Sequence, residues 1–220
     1  MKALEFWHNQ WAANRLDFHL EDTHPLLMQY WSALRPQRQE RVLVPLCGKS
    51  EDLVWLASKH DEVQAVELSP IAVRAFFAEH FYTPLVIPVN HEHELYQFDE
   101  LSIYTGDFFT APLEPVDLVY DRAALEALPP AQRQSYVAHL TAKMKAGGRI
   151  LLIIGDCPTA ALPNSANPLS EMEVRQLYQG YTVTCLQQGD DLRKDEGLPQ
   201  GSTTALGEWS ASSVFLIEGF

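Results

Sequence analysis

The chain has 220 residues, a length that suits one α/β domain with a large buried core and is short for two. Hydrophobic residues make up 46% of it and charged residues 20%, which is an ordinary globular composition. The formal net charge of −13, without any Lys/Arg cluster, disfavours nucleic-acid binding and contact with anionic membranes.

The cysteines and the apolar runs indicate the compartment. Cys47, Cys157 and Cys185 are far apart in the sequence, which fits neither a disulfide framework nor a zinc site. No apolar run approaches the ~18 residues of a membrane span, and the first residues have no signal-peptide pattern. We therefore expect a protein of the reducing cytoplasm.

An aromatic-rich segment precedes the first predicted strand. Its aromatic side chains are Phe6, Trp7, Trp11, Phe18, Tyr30 and Trp31. A complete α/β pattern follows this segment. We therefore expect one domain over residues 1–220, in which residues 1–40 form a partly helical lid and residues 41–220 form the α/β core.

From residue 41 onwards, strand and helix patterns alternate. Apolar runs predict strands at about 41–46, 62–67, 84–89, 116–120, 149–155, 181–187 and 213–218. Helical patterns with proline start signals predict helices at about 50–59, 69–80, 130–145 and 170–178. The stretch 95–106 predicts an inserted hairpin. Together they predict a mostly parallel seven-stranded sheet with helices on both faces and ligands at the carboxyl strand ends.

The loop after the first strand, residues 45–50 (PLCGKS), and the end of the second strand have the spacing of a nucleoside site. Gly48 lets the backbone pass close to a ligand. Glu67 follows nineteen residues later, where nucleotide-binding folds carry a carboxylate that accepts hydrogen bonds from ribose hydroxyls. A single glycine is a poor pyrophosphate cradle, which favours a nucleoside without phosphate, such as S-adenosylmethionine (SAM). Taken alone, each feature also fits an ordinary turn or a surface carboxylate.

Two further pairs of residues follow predicted strands. Asp121 and Arg122 reach the carboxyl edge of the sheet, where Arg122 can pair with the carboxylate of a SAM-like ligand or with an anionic acceptor. A structural Asp121–Arg122 ion pair is the alternative. Asp107 can accept from an adenine amino group while Phe108 flanks the ring, although Asp107 suits a turn cap equally well.

Other reactive residue types are expected to be structural. The run 91–94 (HEHE) lies in a polar connection without a third ligand at a suitable spacing, so we expect no metal site. His8 and His19 lie among aromatic residues, and we expect them to be packed or hydrogen-bonded rather than catalytic. Cys47 is expected to be a small buried residue rather than a nucleophile.

Several segments resemble the thiopurine S-methyltransferase family, particularly its bacterial members. They are residues 5–11, 18–19, 41–50 (RVLVPLCGKS), 67–77, 106–109 (GDFF) and 120–125 (YDRAAL). The combination of VLVPLCGKS with YDRAAL is specific to that family, and the resemblance spans residues 5–155. It implies a Rossmann-like, SAM-dependent methyltransferase fold with an N-terminal lid, and S-adenosylhomocysteine as the product of the cofactor.

Carried over by position, the resemblance implies SAM contacts at Trp11, Leu46, Glu67 and Arg122, with Phe18, Asp107 and Phe108 nearby. Trp11 would stack over the cofactor, and Leu46 would pack beside it. Glu67 would hold the ribose, and Arg122 would lie near the methionine end and the acceptor.

The resemblance weakens after residue 155. Family members carry a Gly-Pro-Pro-Phe loop that lines the acceptor pocket, whereas residues 162–169 contain no aromatic side chain. The proline-rich stretch 158–168 is a candidate mobile loop, and the tail at 190–207 also departs from the family pattern. Acceptor identity is therefore the part of the function that the resemblance determines least.

The expected activity is SAM-dependent methyl transfer to a small thiol, such as a thiopurine or aryl thiol, or to a selenium or tellurium compound. Displacement at a sulfonium needs alignment and a dry pocket rather than a strong base, so no catalytic residue is assigned beyond an orienting role for Arg122. A halide or thiocyanate methyltransferase of related fold, and a SAM-binding protein without transferase activity, remain open alternatives. We expect a monomer with a small-molecule acceptor.

Overall fold

The computed structural model describes residues 2–13, 19–155, 169–189 and 212–219. The helices are α1 (Lys2–Ala12), α2 (Pro25–Tyr30), a 3-10 helix (Trp31–Leu34), α3 (Asp52–Lys59), α4 (Pro70–Glu79), α5 (Ala124–Ala127), α6 (Pro130–Ala142) and α7 (Glu171–Leu177). The strands are β1 (Val42–Val44), β2 (Val63–Glu67), β3 (Leu85–Pro88), β4 (Glu94–Phe98), β5 (Leu101–Thr105), β6 (Val116–Arg122), β7 (Met144–Ile154), β8 (Thr182–Gln187) and β9 (Ser213–Glu218).

The described strands form one mixed sheet in the order β3-β4-β5-β2-β1-β6-β7-β9-β8. The five central strands, from β5 to β7, run parallel. The outer strands on both sides pair antiparallel. The predicted α/β, Rossmann-like architecture is confirmed. The described sheet has nine strands rather than the predicted seven, and it is mixed rather than mostly parallel.

The difference arises between residues 84 and 106. The predicted hairpin exists, yet its second arm, β5, pairs in parallel along the whole of β2 and belongs to the central sheet. The strand predicted at 84–89 is confirmed as β3, but it forms the exposed edge of the sheet, where it pairs with β4. Both segments are apolar enough to form strands, and only burial of alternate side chains distinguishes β5 as the central one.

One helix boundary and one short helix also differ from the predictions. The helix predicted to reach residue 145 ends at Ala142, because the chain already enters β7 at Met144. The short helix α5 is not predicted by the sequence pattern, since four residues are too few to show a helical period.

Two hydrophobic clusters cover the two faces of the sheet. One packs alternate strand residues against α2, α3 and α4, and the other packs the intervening residues against α5, α6 and α7. Four residues of the N-terminal segment belong to the first cluster, namely Leu26, Leu27, Trp31 and Leu34. Because α2 and the 3-10 helix are part of the core, we restrict the predicted lid to the residues before them. Within the described ranges, no helix is long and apolar enough to cross a membrane.

Candidate active site

The loop after β1 has an unusual backbone conformation. Leu46 has φ 50° and Gly48 has φ 58°, and the N–H of Cys47 between them donates to the carbonyl of Val66 at 2.9 Å. Glycine adopts this conformation freely, whereas a left-handed leucine costs about 1–2 kcal/mol. Such backbone strain clusters at functional sites, and here it shapes the carboxyl edge of the two central strands β1 and β2.

Glu67 connects the loops that follow β1 and β2. Its Oε2 accepts the backbone N–H of Gly48 at 2.9 Å, and its Oε1 accepts that of Ser69 at 2.8 Å. Burial raises the pKa of Glu67 to about 7, although the N–H groups of Ser69, Gly48 and Leu68 act in the opposite direction. A carboxylate has about four lone-pair positions, so Glu67 can still accept from further donors.

These residues fit the ribose of SAM. Beside Glu67, the hydroxyl of Ser69 is buried and has no hydrogen-bond partner in the described part of the chain. An unsatisfied buried hydroxyl costs about 1–3 kcal/mol, which a bound polar ligand would relieve. A carboxylate with spare acceptor capacity and an unpartnered hydroxyl therefore lie at the strand end where the sequence predicts the ribose.

Trp11 approaches this loop from the N-terminal helix. It is buried, and a Cβ added at Gly48 would lie 3.2 Å from its ring carbon Cζ2. Any larger residue at position 48 would therefore press on the indole, as well as being strained by the positive φ. The sequence-predicted neighbours Trp11 and Leu46 are brought to the same loop.

Arg122 lies across a cavity of about 60 Å³ from this loop. The cavity is lined by the end of β1 and the loop after it, by α3, by the end of β6 with the residue after it, and by one residue of the N-terminal segment. These residues are His19, Val44, Pro45, Leu46, Cys47, Gly48, Lys49, Ser50, Asp52, Tyr120, Arg122 and Ala123. Successive strand residues point to opposite faces, so Tyr120 and Arg122 share the face that meets the cavity. The predicted residues Leu46 and Arg122 thus line one cavity.

His19 also lines this cavity, which the sequence did not indicate. Burial lowers the pKa of His19, and the nearby Lys49 and Arg122 cations lower it further against the opposing charges of Glu79 and Glu51. The imidazole is therefore neutral at pH 7 and can accept a proton. The aromatic neighbours of His19 in the sequence favoured a packed residue, and its place at the cavity follows only from the fold.

Asp52 joins the N-terminal segment to the cavity wall. One carboxylate oxygen accepts the backbone N–H of His24 at 2.7 Å, and the other accepts the hydroxyl of Tyr120 at 2.9 Å. All three residues are buried. With both oxygens engaged, Asp52 is a structural connection between α3, β6 and the segment that leads back to His19.

Asp107 and Phe108 are not among the residues that line the cavity. The Asp107 carboxylate accepts the N–H of Phe109 at 3.0 Å and so caps its own turn, as the alternative reading of the sequence had it. Phe108 is buried in the second hydrophobic cluster, with its ring 5.3 Å from that of Tyr136. Phe18 lies outside the described residues. Contacts of these three residues with the cofactor stay predictions.

The histidine-rich run has a structural role. His93 is buried, and its Nε2 lies 3.1 Å from the carbonyl oxygen of Asp107. Gly106 packs so closely that a Cβ there would lie 2.7 Å from the His93 ring. No group of potential metal ligands occurs among the residues that the structure describes. Burial and the charge of Glu67 raise the pKa of the Cys47 thiol, which disfavours the thiolate a nucleophile requires.

Comparison with known proteins gives a consistent result. A family model for thiopurine S-methyltransferase matches residues 2–211. Proteins named thiopurine S-methyltransferase from Vibrio campbellii and Vibrio cholerae are 55% identical over 218 residues, covering 99% of both chains. A third, from Photobacterium profundum, is 51% identical over 196 residues, covering 89% of this chain and 90% of the relative.

Solved structures of low sequence identity share the fold. The 1,6-didemethyltoxoflavin-N1-methyltransferase of Burkholderia thailandensis, solved with 1,6-didemethyltoxoflavin and S-adenosylhomocysteine, has a TM-score of 0.65 at 13% identity, covering 98% of this chain and 86% of that one. The N-methyltransferase NodS from Bradyrhizobium japonicum, solved with S-adenosylhomocysteine, has a TM-score of 0.58 at 11% identity, covering 91% and 90%.

Proposed function

The chain belongs to the thiopurine S-methyltransferase family and is a methyltransferase that uses SAM, and from this premise we propose that it methylates a small thiol or a selenium or tellurium compound in its anionic form. The observation that carries the proposal is the shared cavity of Arg122 and His19 beside the loop that Glu67 organises. SAM, when bound, supplies a methyl group on a positively charged sulfur.

For the cofactor, we propose that Glu67 accepts hydrogen bonds from the ribose hydroxyls while Trp11 and Leu46 cover the nucleoside. Arg122 would pair with the amino-acid carboxylate. A guanidinium suits that task because its planar fork matches both oxygens of a carboxylate. A typical ligand pocket has about 300–1,000 Å³, far more than the present cavity of about 60 Å³. We therefore propose that the segment carrying Trp11 and His19 moves aside when the cofactor enters.

The charges around the cavity favour an acceptor that is already anionic. Among the described residues that line the cavity, Asp52 is the one carboxylate, and both of its oxygens already accept hydrogen bonds. Glu67 already accepts hydrogen bonds from two backbone N–H groups. A strong general base is therefore missing from this lining. A thiol with a pKa near neutral needs no strong base, because much of it is already the thiolate at neutral pH, and the weakly basic neutral His19 can take the proton of the fraction that is still protonated. An alcohol acceptor would need a stronger base.

A halide or thiocyanate acceptor is the second candidate, because a cavity of about 60 Å³ has more room for a small anion than for a purine.

We also infer a cytoplasmic monomer, and gel filtration with light scattering checks the oligomeric state.

The decisive experiment is a methylation assay with labelled SAM across thiopurines, aryl thiols, selenite, tellurite, iodide and thiocyanate. We expect turnover of thiols or of selenium and tellurium compounds, and lower turnover in His19→Gln at unchanged SAM affinity. Turnover confined to iodide and thiocyanate would favour the second candidate. SAM binding without turnover of any acceptor would indicate a binding protein and contradict the proposal.

A further inference from the structure

A buried carboxylate lies directly before Arg122 on β6, on the opposite face of the sheet. Asp121 is fully buried on the face of the sheet that the second hydrophobic cluster covers. Tyr120 and Arg122 line the cavity on the other face. The Asp121 carboxylate cannot therefore contact the cavity itself. Its position one residue before Arg122 nevertheless lets it act through the backbone.

Each oxygen of Asp121 holds a different element. Oδ1 accepts the backbone N–H of Leu125 at 3.2 Å, at the start of α5, and Oδ2 accepts the hydroxyl of Tyr136 on α6 at 2.8 Å. Burial raises the pKa of Asp121 to about 6, so the carboxylate is mainly ionised at neutral pH, where these hydrogen bonds are charge-assisted. The side chain thus ties the turn after Arg122 to a long helix.

The turn needs such a tie because its backbone is strained. Ala123, directly after Arg122, has φ 62° without being glycine. A left-handed alanine costs about 1–2 kcal/mol, and it persists only where surrounding contacts hold it. The hydrogen bond from the Leu125 N–H to the Asp121 carboxylate spans Ala123.

We propose that Asp121 and Tyr136 form a positioning pair that fixes the Arg122 guanidinium at the cavity through the Ala123 turn. Neither residue touches cofactor or acceptor, so they are positioning residues and not catalytic ones. The inference rests on the proposed function only in that Arg122 is taken to bind the SAM carboxylate.

The chain offers a matched control in the same cluster. Tyr178 is as deeply buried as Tyr136, but its hydroxyl has no hydrogen-bond partner among the described residues. Tyr136→Phe and Tyr178→Phe each remove one buried hydroxyl and keep the ring. Only the first removes a bond to Asp121. Asp121→Asn, which keeps the side-chain size, is the second test variant.

The experiment measures the SAM dissociation constant by calorimetry and the position of Arg122 by crystallography with S-adenosylhomocysteine. We expect Tyr136→Phe and Asp121→Asn to raise the dissociation constant about tenfold, as the loss of a hydrogen bond to a charged group implies, and Tyr178→Phe to leave it unchanged. In an Arg122→Ala background, Tyr136→Phe should have no further effect, since coupled residues are not additive.

The outcomes separate the positioning pair from the role of Arg122. Additive effects of Tyr136→Phe and Arg122→Ala, or an unmoved Arg122 and Ala123 in the Tyr136→Phe crystal, would overturn the inference and leave the proposed function intact. A displaced Arg122 with unchanged SAM affinity would support the positioning pair and contradict the assignment of Arg122 to the cofactor carboxylate.

Discussion

The carboxylate of Glu67 accepts the backbone N–H of Gly48 at 2.9 Å, which joins the end of β2 to the left-handed turn after β1. The residue that we propose for the ribose is thus also the residue that fixes the conformation of the loop after β1. A substitution of Glu67 consequently removes a ligand contact and loosens the loop at the same time.

Glu67→Ala is expected to weaken SAM binding by about 1.5–3 kcal/mol, the usual worth of hydrogen bonds to a charged group. It should also lower the free energy of unfolding, because the N–H groups of Gly48 and Ser69 lose their acceptor. Calorimetry and urea denaturation measure the two effects. Glu62→Ala, which removes a partly exposed ion pair with Arg41, is the control and should change neither by more than about 1 kcal/mol. Unchanged SAM affinity in Glu67→Ala would exclude it from the site.

SAM affinity should fall as the pH drops below 7. The pKa of Glu67 is raised by burial to about 7 in the protein without cofactor. Ribose hydroxyls donate to the ionised carboxylate, so binding competes with protonation, and the affinity approaches a tenfold loss per pH unit below that pKa. Calorimetry at pH 5.5 to 8 measures this slope. In Glu67→Gln the slope should disappear, and a slope that persists there would show that another group is responsible.

The raised pKa of Glu67 also predicts how the stability of the cofactor-free protein changes with pH. A folded-state pKa above the ordinary value of 4.5 means that the folded protein binds this proton more tightly than the unfolded chain. The stability that Glu67 contributes in its protonated form is present below pH 4.5 and is lost as the pH rises towards 7. The free energy of unfolding lost in this way is on the order of 3 kcal/mol. Urea denaturation of the cofactor-free protein should therefore show less loss across this window in Glu67→Gln than in the wild type.

Deleting residues 1–20 should leave a folded protein with much weaker SAM binding. The core residues contributed by α2 and the 3-10 helix remain, whereas Trp11 and His19 are removed. Circular dichroism and calorimetry measure fold and affinity. Trp11→Ala should reproduce much of the loss, and Asn9→Ala, at an exposed position of the same helix, is its control. Normal SAM binding by the truncated protein would contradict the lid.

Arg122→Lys should be clearly impaired, because lysine keeps the charge but loses the planar fork. If Arg122 binds the SAM carboxylate, the dissociation constant for SAM rises first, by about tenfold or more. If it orients the acceptor instead, the turnover or the acceptor KM changes while SAM affinity stays near the wild-type value. Wild-type affinity and turnover in Arg122→Ala would exclude both roles.

Asp52→Ala should lower the free energy of unfolding by about 2–4 kcal/mol, because two buried donors, the His24 N–H and the Tyr120 hydroxyl, each lose this acceptor. Tyr120→Phe removes only one of the two hydrogen bonds and should cost less. Urea denaturation of both variants checks this order. Equal losses, or a larger one in Tyr120→Phe, would show that Asp52 does not connect these elements.

Much of the site could be predicted because its parts are local in the chain. A strand, a turn with glycine and a carboxylate at the next strand end follow one another within 26 residues, from Val42 to Glu67, and parallel strands place their carboxyl ends at one edge. The sequence therefore determined the βα alternation, the loop at 45–50 and the place of Glu67.

Tertiary structure decided the contacts between distant residues. Asp52 binds His24 and Tyr120, 28 and 68 positions away, and Asp121 binds Tyr136 across the sheet face. It also decided that β5 rather than β3 pairs with β2, since an apolar alternating strand does not specify its neighbour. Pairing and burial depend on which surfaces meet when the chain is compact, and the local backbone preferences of a sequence carry little of that information.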